Sequence, residues 1–495
     1  MRVSEYYNLG RTQPALDFVD IDITEDTPVY IDPSAIKNLS DEWATQCLNM
    51  LSTFFDSVLD AINNDDQDRV KNLLIRLQEP NETHFGLSKG KSRGRGLGPY
   101  LIQKLCNNLT LSRAAKTGML EDLEDTALFI EGVGKDIVSD LTTNVIRGML
   151  VTYTQSVALM YGIPLEEGVY SGLAWDPFRR EWDGTFTRLP IADGNPLLLV
   201  PKVIVRYDLH LTKEEYFRNY LAPAMQSEEL DKPGSKLVKT LKDGQKVVQK
   251  KDVEQEYGGG KEIIASHSFA RPEVFQSYKE GKRLNPSKPL THDQISAATQ
   301  TPRIDLDALL HEVLTIPPGP EGASAYHRAV ESLLSALFYP ALSQPVIEFP
   351  IDQGRKRVDI TYTNMADSGF FGWLQRQRHQ CSYVFVECKN YKADLGNPEL
   401  DQITGRFSHL RGQVGLILCR SLQDKPLFIA RCRDVALASR GFVLALDDED
   451  LRALVNEEKM ASQPVNDQPT GEGPEGSPQP SEFRTLFERF RQLVS

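Results

Sequence analysis

Apolar residues recur at helical spacing across residues 42–63, where Trp43, Leu48, Leu51, Phe54, Phe55, Val58, Leu59 and Ile62 form one stripe. Residues 70–77 repeat the pattern, and 141–161 read as a long helix with Val145, Leu150, Tyr153 and Val157 inward. Tyr326, Val330, Leu333, Leu334, Leu337 and Phe338 predict a further helix over 326–338. Beyond it the pattern turns to strands. A strand is expected around Glu348, then Arg357-Val358-Asp359-Ile360-Thr361-Tyr362, then Tyr383-Val384-Phe385-Val386-Glu387-Cys388-Lys389-Asn390. A helix starts near Pro398, since proline suits a first helical turn. Val414-Gly415-Leu416-Ile417-Leu418-Cys419 is continuously apolar, as a strand covered on both faces must be. A helix around 424–439, a strand over 442–446 and a helix opened by Asp447 and Asp450 complete the series, the acids complementing the helix dipole.

Charge changes the picture of one strand. Successive strand side chains face opposite ways, so Glu387 and Lys389 share one face and Val384, Val386 and Cys388 take the other. Buried unpaired charge is costly, so both groups need partners. A structural salt bridge is one solution and a metal site with a lysine beside it is another. Asp359, set between apolar neighbours on the preceding strand, can converge with them if the two runs pair. Two carboxylates suit Mg²⁺, which takes oxygen ligands, and a lysine can orient or deprotonate a water.

This D…ExK arrangement resembles the PD-(D/E)xK, or restriction-endonuclease-like, nuclease superfamily, and Glu387-Cys388-Lys389-Asn390-Tyr391 looks most like its Mrr-type members. The resemblance implies an αβββαβ core, a mixed sheet flanked by helices. It implies Mg²⁺, with Mn²⁺ as a substitute, held by Asp359, Glu387 and the backbone carbonyl of Cys388, with Lys389 near the attacking water. It assigns a helix acid to Glu331, with Glu348 as the competing candidate, and a helix glutamine to Gln402. His327, one turn before Glu331, is read as a boundary histidine. The residue before Asp359 is Val358, where the family loosely keeps proline.

Between Asp359 and Glu387 the chain is longer than a tight hairpin needs, and residues 365–380 read as an insertion. Its Phe370, Phe371, Trp373, Arg376, Arg378 and His379 suit either nucleic-acid stacking or a cover over the sheet. Residues 351–440 hold 14 Lys/Arg and 9 Asp/Glu, a local excess of +5 (14 − 9) inside a chain of net charge −13. The basic excess is therefore local, densest at Arg355-Lys356-Arg357, a run that suits either phosphate contact or a solvated loop before the strand.

The N-terminal region carries weaker signals. Gly90-Lys91-Ser92 imitates a phosphate loop, but Phe85 stands where the first glycine belongs. The segment is read as a basic loop whose Lys89, Lys91, Arg93 and Arg95 suit backbone phosphates. Asp136 and Asp140 follow a glycine at a helix start, where acids complement the dipole or serve a site. Pro190 to Pro196 supply turn residues, and 197–205 read as strand. Cys47, Cys106, Cys381, Cys388, Cys419 and Cys432 show neither C-x-x-C nor zinc spacing and suit a reducing compartment. With no signal peptide and no spanning apolar run, a cytoplasmic protein is expected.

The expected organisation is a mainly helical domain with a small β-rich patch over 1–224, which senses, binds or regulates. An exposed helical linker follows over 225–300, the nuclease domain over 301–460, a disordered linker over 461–480 and an amphipathic helix over 481–495. Phe483, Leu486, Phe487, Phe490, Leu493 and Val494 give that last helix one apolar stripe, expected to dock on its own chain or a sister subunit. The function expected from the resemblance is metal-dependent cleavage of DNA in bacterial restriction or anti-phage defence. A homo-oligomer or a protein activator acting through the N-terminal domain fits that role. A non-catalytic nucleic-acid-binding scaffold and an RNA nuclease are the alternatives.

Overall fold

The computed structural model describes residues 1–39, 41–77, 79–86, 105–110, 112–116, 119–351, 356–462 and 483–495. The chain divides into two units. One comprises Met1–Tyr7 and Ile21–Leu290, the other Asn8–Asp20 and Thr291–Ser495.

In the second unit the helices are α1 (His292–Thr299), α2 (Leu306–Thr315), α3 (Ala323–Leu337), α4 (Gly369–Arg376), α5 (Asn397–Thr404), α6 (Lys425–Leu437), α7 (Asp448–Ala461) and α8 (Arg484–Val494). The strands are β1 (Leu342–Ile351), β2 (Lys356–Asn364), β3 (Tyr383–Lys389), β4 (Val414–Cys419) and β5 (Phe442–Leu446). They form one mixed sheet ordered β5-β4-β3-β2-β1. β2 is antiparallel to both β1 and β3, whereas β3, β4 and β5 are parallel. Parallel neighbours need long crossovers, and α5 and α6 supply them. The result is a mixed α/β domain, and β4 is buried along its whole length.

One face of the sheet meets α3. Tyr326, Val330, Leu333, Leu334 and Leu337 share a core with Ile360, Tyr362, Val384, Val386 and Cys388. Each fully buried Leu, Val or Phe contributes about 1.5–3 kcal/mol, so this face anchors the helix. On the other face Val358 and Phe385 pack with Phe407, just beyond α5. Gly415 of β4 is what lets this layer close. A Cβ there would lie 2.5 Å from Ile403 Cδ1 and 3.1 Å from the Phe407 ring.

The insertion forms α4. Phe370, Phe371 and Leu374 are buried, and the rings of Phe370 and Trp373 meet Phe487 and Phe490 of α8 at 5.2–6.1 Å. His379 meets Phe442 edge-on and Phe490 at a tilt. The aromatic residues of 365–380 thus serve as a docking surface for the terminal helix on its own chain. Their stripe and that of α8 are two halves of one apolar contact.

The first unit is mainly helical. Its helix Glu42–Asn63 matches the expected span, while 70–77 is represented by Gln67–Leu74. Two helices, Lys135–Val145 and Arg147–Tyr161, replace the single one expected, because Ile146 leaves helical geometry. The β patch is a hairpin, Glu166–Asp176 with Glu181–Leu189. Its Trp175 is packed against Phe54 and Trp182. Residues 197–205 are mostly buried loop and 3₁₀ turn instead of strand. Residues 225–290 belong to this unit as packed helices, with Val253, Ile264, Phe275 and Tyr278 buried. Their many charged residues hide sparse apolar anchors, which is why the sequence reads as exposed linker. Lys89, Lys91, Arg93, Arg95, Arg355 and residues 463–482 of the tail lie outside the described residues. All six cysteines are buried free thiols, and no described helix is long and apolar enough to cross a membrane.

Burial raises the Asp140 carboxyl to about 8, with Glu79, Asp136 and Asp26 pushing the same way. The folded state therefore holds a proton that the unfolded chain releases near pH 4, and stability falls as pH rises from about 4 to about 8. Asp140→Asn should raise Tm at pH 8 and change it little at pH 4, as followed by circular dichroism. In the second unit, Phe490→Ala should cost about 3 kcal/mol in a denaturant titration. An unchanged midpoint would mean that α8 does not depend on this ring for docking.

Candidate functional site

The alternation of β3 places Glu387 and Lys389 on the face opposite Val384, Val386 and Cys388. Glu387 is completely buried and Lys389 nearly so. Lys389 Nζ donates to Glu387 Oε2 at 3.2 Å and to Gln402 Oε1 at 2.9 Å. Gln402 Nε2 donates in turn to Glu387 Oε2 at 2.9 Å. Acid, ammonium and amide close a three-membered ring of hydrogen bonds. The remaining oxygen, Glu387 Oε1, forms an ion pair with Nη1 of Arg406, four residues beyond Gln402. Charge-assisted bonds of this kind offset much of the cost of burying a carboxylate.

Asp359 is held differently. The ladder between β2 and β3 ends at Ile360 and Val386. At the next position the Asp359 side chain replaces a backbone acceptor, taking the Cys388 amide at 2.9 Å through Oδ2. His327 of α3 reaches the same point. Its Nε2 lies 3.2 Å from the Cys388 carbonyl, to which it must donate, and 3.8 Å from Asp359 Oδ2. The ligand atoms of His327, Asp359 and the Cys388 thiol lie within 4.8 Å of one another, close enough to share one metal ion. His327 and Asp359 are 29% and 21% exposed at their side chains, so this corner is open to solvent while Glu387 is not. Burial drives the Cys388 thiol well above its ordinary range, which keeps it protonated and apolar.

Two groups therefore adjoin along β3: Glu387 with Lys389, Gln402 and Arg406, and Asp359 with Cys388 and His327. Burial pulls the Arg406 guanidinium below its usual value, and the Asp359 charge opposes that shift. Glu331 occupies a neighbouring buried network. It pairs with Arg11, accepts from Ser335 Oγ at 2.8 Å, and its backbone carbonyl takes the Tyr362 hydroxyl at 3.2 Å. Glu348 is exposed on edge strand β1 and pairs with Arg357 at 2.7 Å, away from the buried acids.

Arg406 and Arg11 escape a sequence reading, and His327, read as a boundary histidine, stands against Asp359 and the Cys388 carbonyl. His327 and Arg406 were each signalled by helical spacing, the first four residues before Glu331 and the second four after Gln402. Arg11 lies 320 residues from Glu331 and had no local signal.

Burial pushes the Glu331 carboxyl above the usual range and Arg11 works against it. Arg11→Ala should cost about 3 kcal/mol, since it leaves a buried acid unpaired. Without Arg11 the carboxyl rises further, so the penalty is smallest near pH 4, where both states are protonated, and grows as pH rises. Melting temperatures of wild type and variant at pH 5 and pH 8 check this, with the larger gap expected at pH 8.

A family model described as a domain of unknown function (DUF8370) matches residues 8–212, a span that ends before β1 and includes the Asn8–Asp20 segment of the second unit. No curated protein and no solved structure matches the chain.

Proposed function

We propose that the second unit is a metal-dependent nuclease of the PD-(D/E)xK kind, closest in type to Mrr-like members, that hydrolyses phosphodiester bonds in DNA. One observation carries this reading: Asp359 on β2 binds the amide of Cys388, the residue set between Glu387 and Lys389 on β3. An acid from one strand is thereby locked to the ExK of the next. The order of α3, three antiparallel strands, α5 and parallel β4 supports it.

The donors at this corner fit a divalent cation. Asp359 and the Cys388 carbonyl at the corner, with the buried Glu387 one residue earlier on β3, offer hard oxygen, as Mg²⁺ prefers. His327 adds an imidazole, which favours Mn²⁺ over Mg²⁺, provided that its proton moves to Nδ1. A cation held there would neutralise charge developing on the phosphate and acidify a bound water. Within the chain, the Cys388 amide keeps the Asp359 carboxylate oriented. Gln402 fixes Lys389 and Glu387 in one plane of hydrogen bonds. An ammonium has three donors, and Lys389 spends two on Glu387 and Gln402. The third is left to orient a water or a phosphoryl oxygen.

The first unit would select or gate the substrate, as in restriction and anti-phage systems that join such a nuclease to a sensing region. The scaffold alternative draws on a separate fact: Glu387 already has Lys389 and Gln402 on Oε2 and the Arg406 charge beside Oε1 without a metal.

Plasmid DNA and a structured RNA, each with Mg²⁺, Mn²⁺ or EDTA, separate the readings. Wild type should nick or linearise DNA only with metal. Asp359→Asn, Glu387→Gln and Lys389→Ala should each cut about 100-fold more slowly or worse, and His327→Ala should lose most in Mn²⁺. Equal cleavage by wild type and Glu387→Gln rejects the site. Tight, salt-sensitive DNA binding without cleavage favours the scaffold.

A further inference from the structure

We infer that Arg406 is an exchangeable counter-ion: it holds Glu387 while the site is metal-free, yields that oxygen to an arriving divalent cation, and then receives the scissile phosphate. The inference rests on the nuclease reading and concerns how the same site changes state.

The two oxygens of Glu387 are not equivalent. Oε2 is held by Lys389 and Gln402, which are also bonded to each other. Lys389 is two residues away on the same strand and also bonds Gln402, so its departure would break the ring. Oε1 has Arg406. That residue lies past the end of α5, after Gly405, on a long side chain. Of the three donors, only Arg406 can swing away without breaking the ring formed by the other two.

Charge points the same way. Asp359 and Glu387 carry two negative charges, and Lys389 and Arg406 two positive ones. The metal-free corner is thus balanced internally, which is how a carboxylate with no exposure is tolerated. Arg406 also feels the Asp359 charge, in addition to its ion pair with Glu387. A divalent cation drawn to those acids meets a like charge at close range, where the repulsion is strong in a poorly solvated site. It binds only as Arg406 withdraws. The released guanidinium has the planar donor edge that matches two phosphoryl oxygens, and a bound phosphodiester returns the negative charge that it has lost. Cation entry and phosphate capture are then coupled through one side chain.

The test measures Mn²⁺ affinity of the full chain without nucleic acid, by the free-Mn²⁺ resonance signal. Wild type, Arg406→Ala, Arg406→Gln and Arg406→Lys are compared, with Asp359→Asn as the control that loses the site. Removing the competitor should tighten Mn²⁺ binding about tenfold in the Ala and Gln variants, while Lys stays near wild type. A residue that merely supported the structure would weaken binding when removed. With a DNA duplex and saturating Mn²⁺, Ala and Gln should cleave about tenfold more slowly and Lys should recover part of the rate. If Arg406→Ala melts too low to use, the Gln variant carries the measurement. Unchanged or weaker Mn²⁺ binding in both overturns the inference while leaving the nuclease reading intact. Tighter binding with no cleavage by any form, wild type included, upholds the exchange and removes the nuclease reading. Absence of Mn²⁺ binding in every form removes both.

Discussion

The burial of one carboxylate organises the second unit. Glu387 sits on a strand covered by α3 on one face and α5 on the other, and has no exposed surface. Everything polar nearby is placed to answer that charge: Lys389 from the same strand, Gln402 from α5 and Arg406 from just beyond it. The packing has to bring α5 close enough for these contacts. Gly415 allows this, because any larger residue would meet Ile403 and Phe407. A packing constraint on β4 thereby becomes an electrostatic property of β3.

The second acid is controlled by topology. β2 and β3 run antiparallel, but their ladder stops at Ile360, and Asp359 takes over as acceptor for the Cys388 amide. This leaves Asp359 at the solvent-facing end of the pair, beside His327, while Glu387 stays inside. The two acids differ in exposure and in partners. The open corner is suited to receive a ligand and the closed one to hold charge in reserve. The same core anchors α3, so His327 and Glu331 are fixed by the apolar stripe between them.

The units are not simple consecutive blocks. Asn8–Asp20 belongs with the C-terminal sheet unit although sequence on both sides belongs to the other. Arg11 in that segment neutralises Glu331, a buried acid on the helix that also presents His327. The geometry of the site therefore depends on residues from the beginning of the chain. At the far end, α8 lies on α4 through Phe370, Trp373, Phe487 and Phe490. Both additions complete the apolar and electrostatic balance of one domain.

Local pattern by itself determined α3, the strands of the sheet, α5 to α8 and the candidates on them, but not α1 or α2. Period-two alternation put Glu387 and Lys389 on one face, and helical spacing identified α3, α8 and Glu42–Asn63. Those readings depend only on neighbours along the chain, which the sequence displays directly. Tertiary structure decided which charges meet. Arg406 and Gln402 converge on Glu387 because α5 packs on Gly415, and Arg11 reaches Glu331 across 320 residues. The aromatic insertion proved to be a seat for α8, since only the fold shows two distant apolar stripes in contact. Residues 225–290 were hidden by the same limit: a few buried anchors among many charges have no periodic signature. Ion-pair partners and docking faces are properties of distance in space, and that is the information a linear pattern lacks.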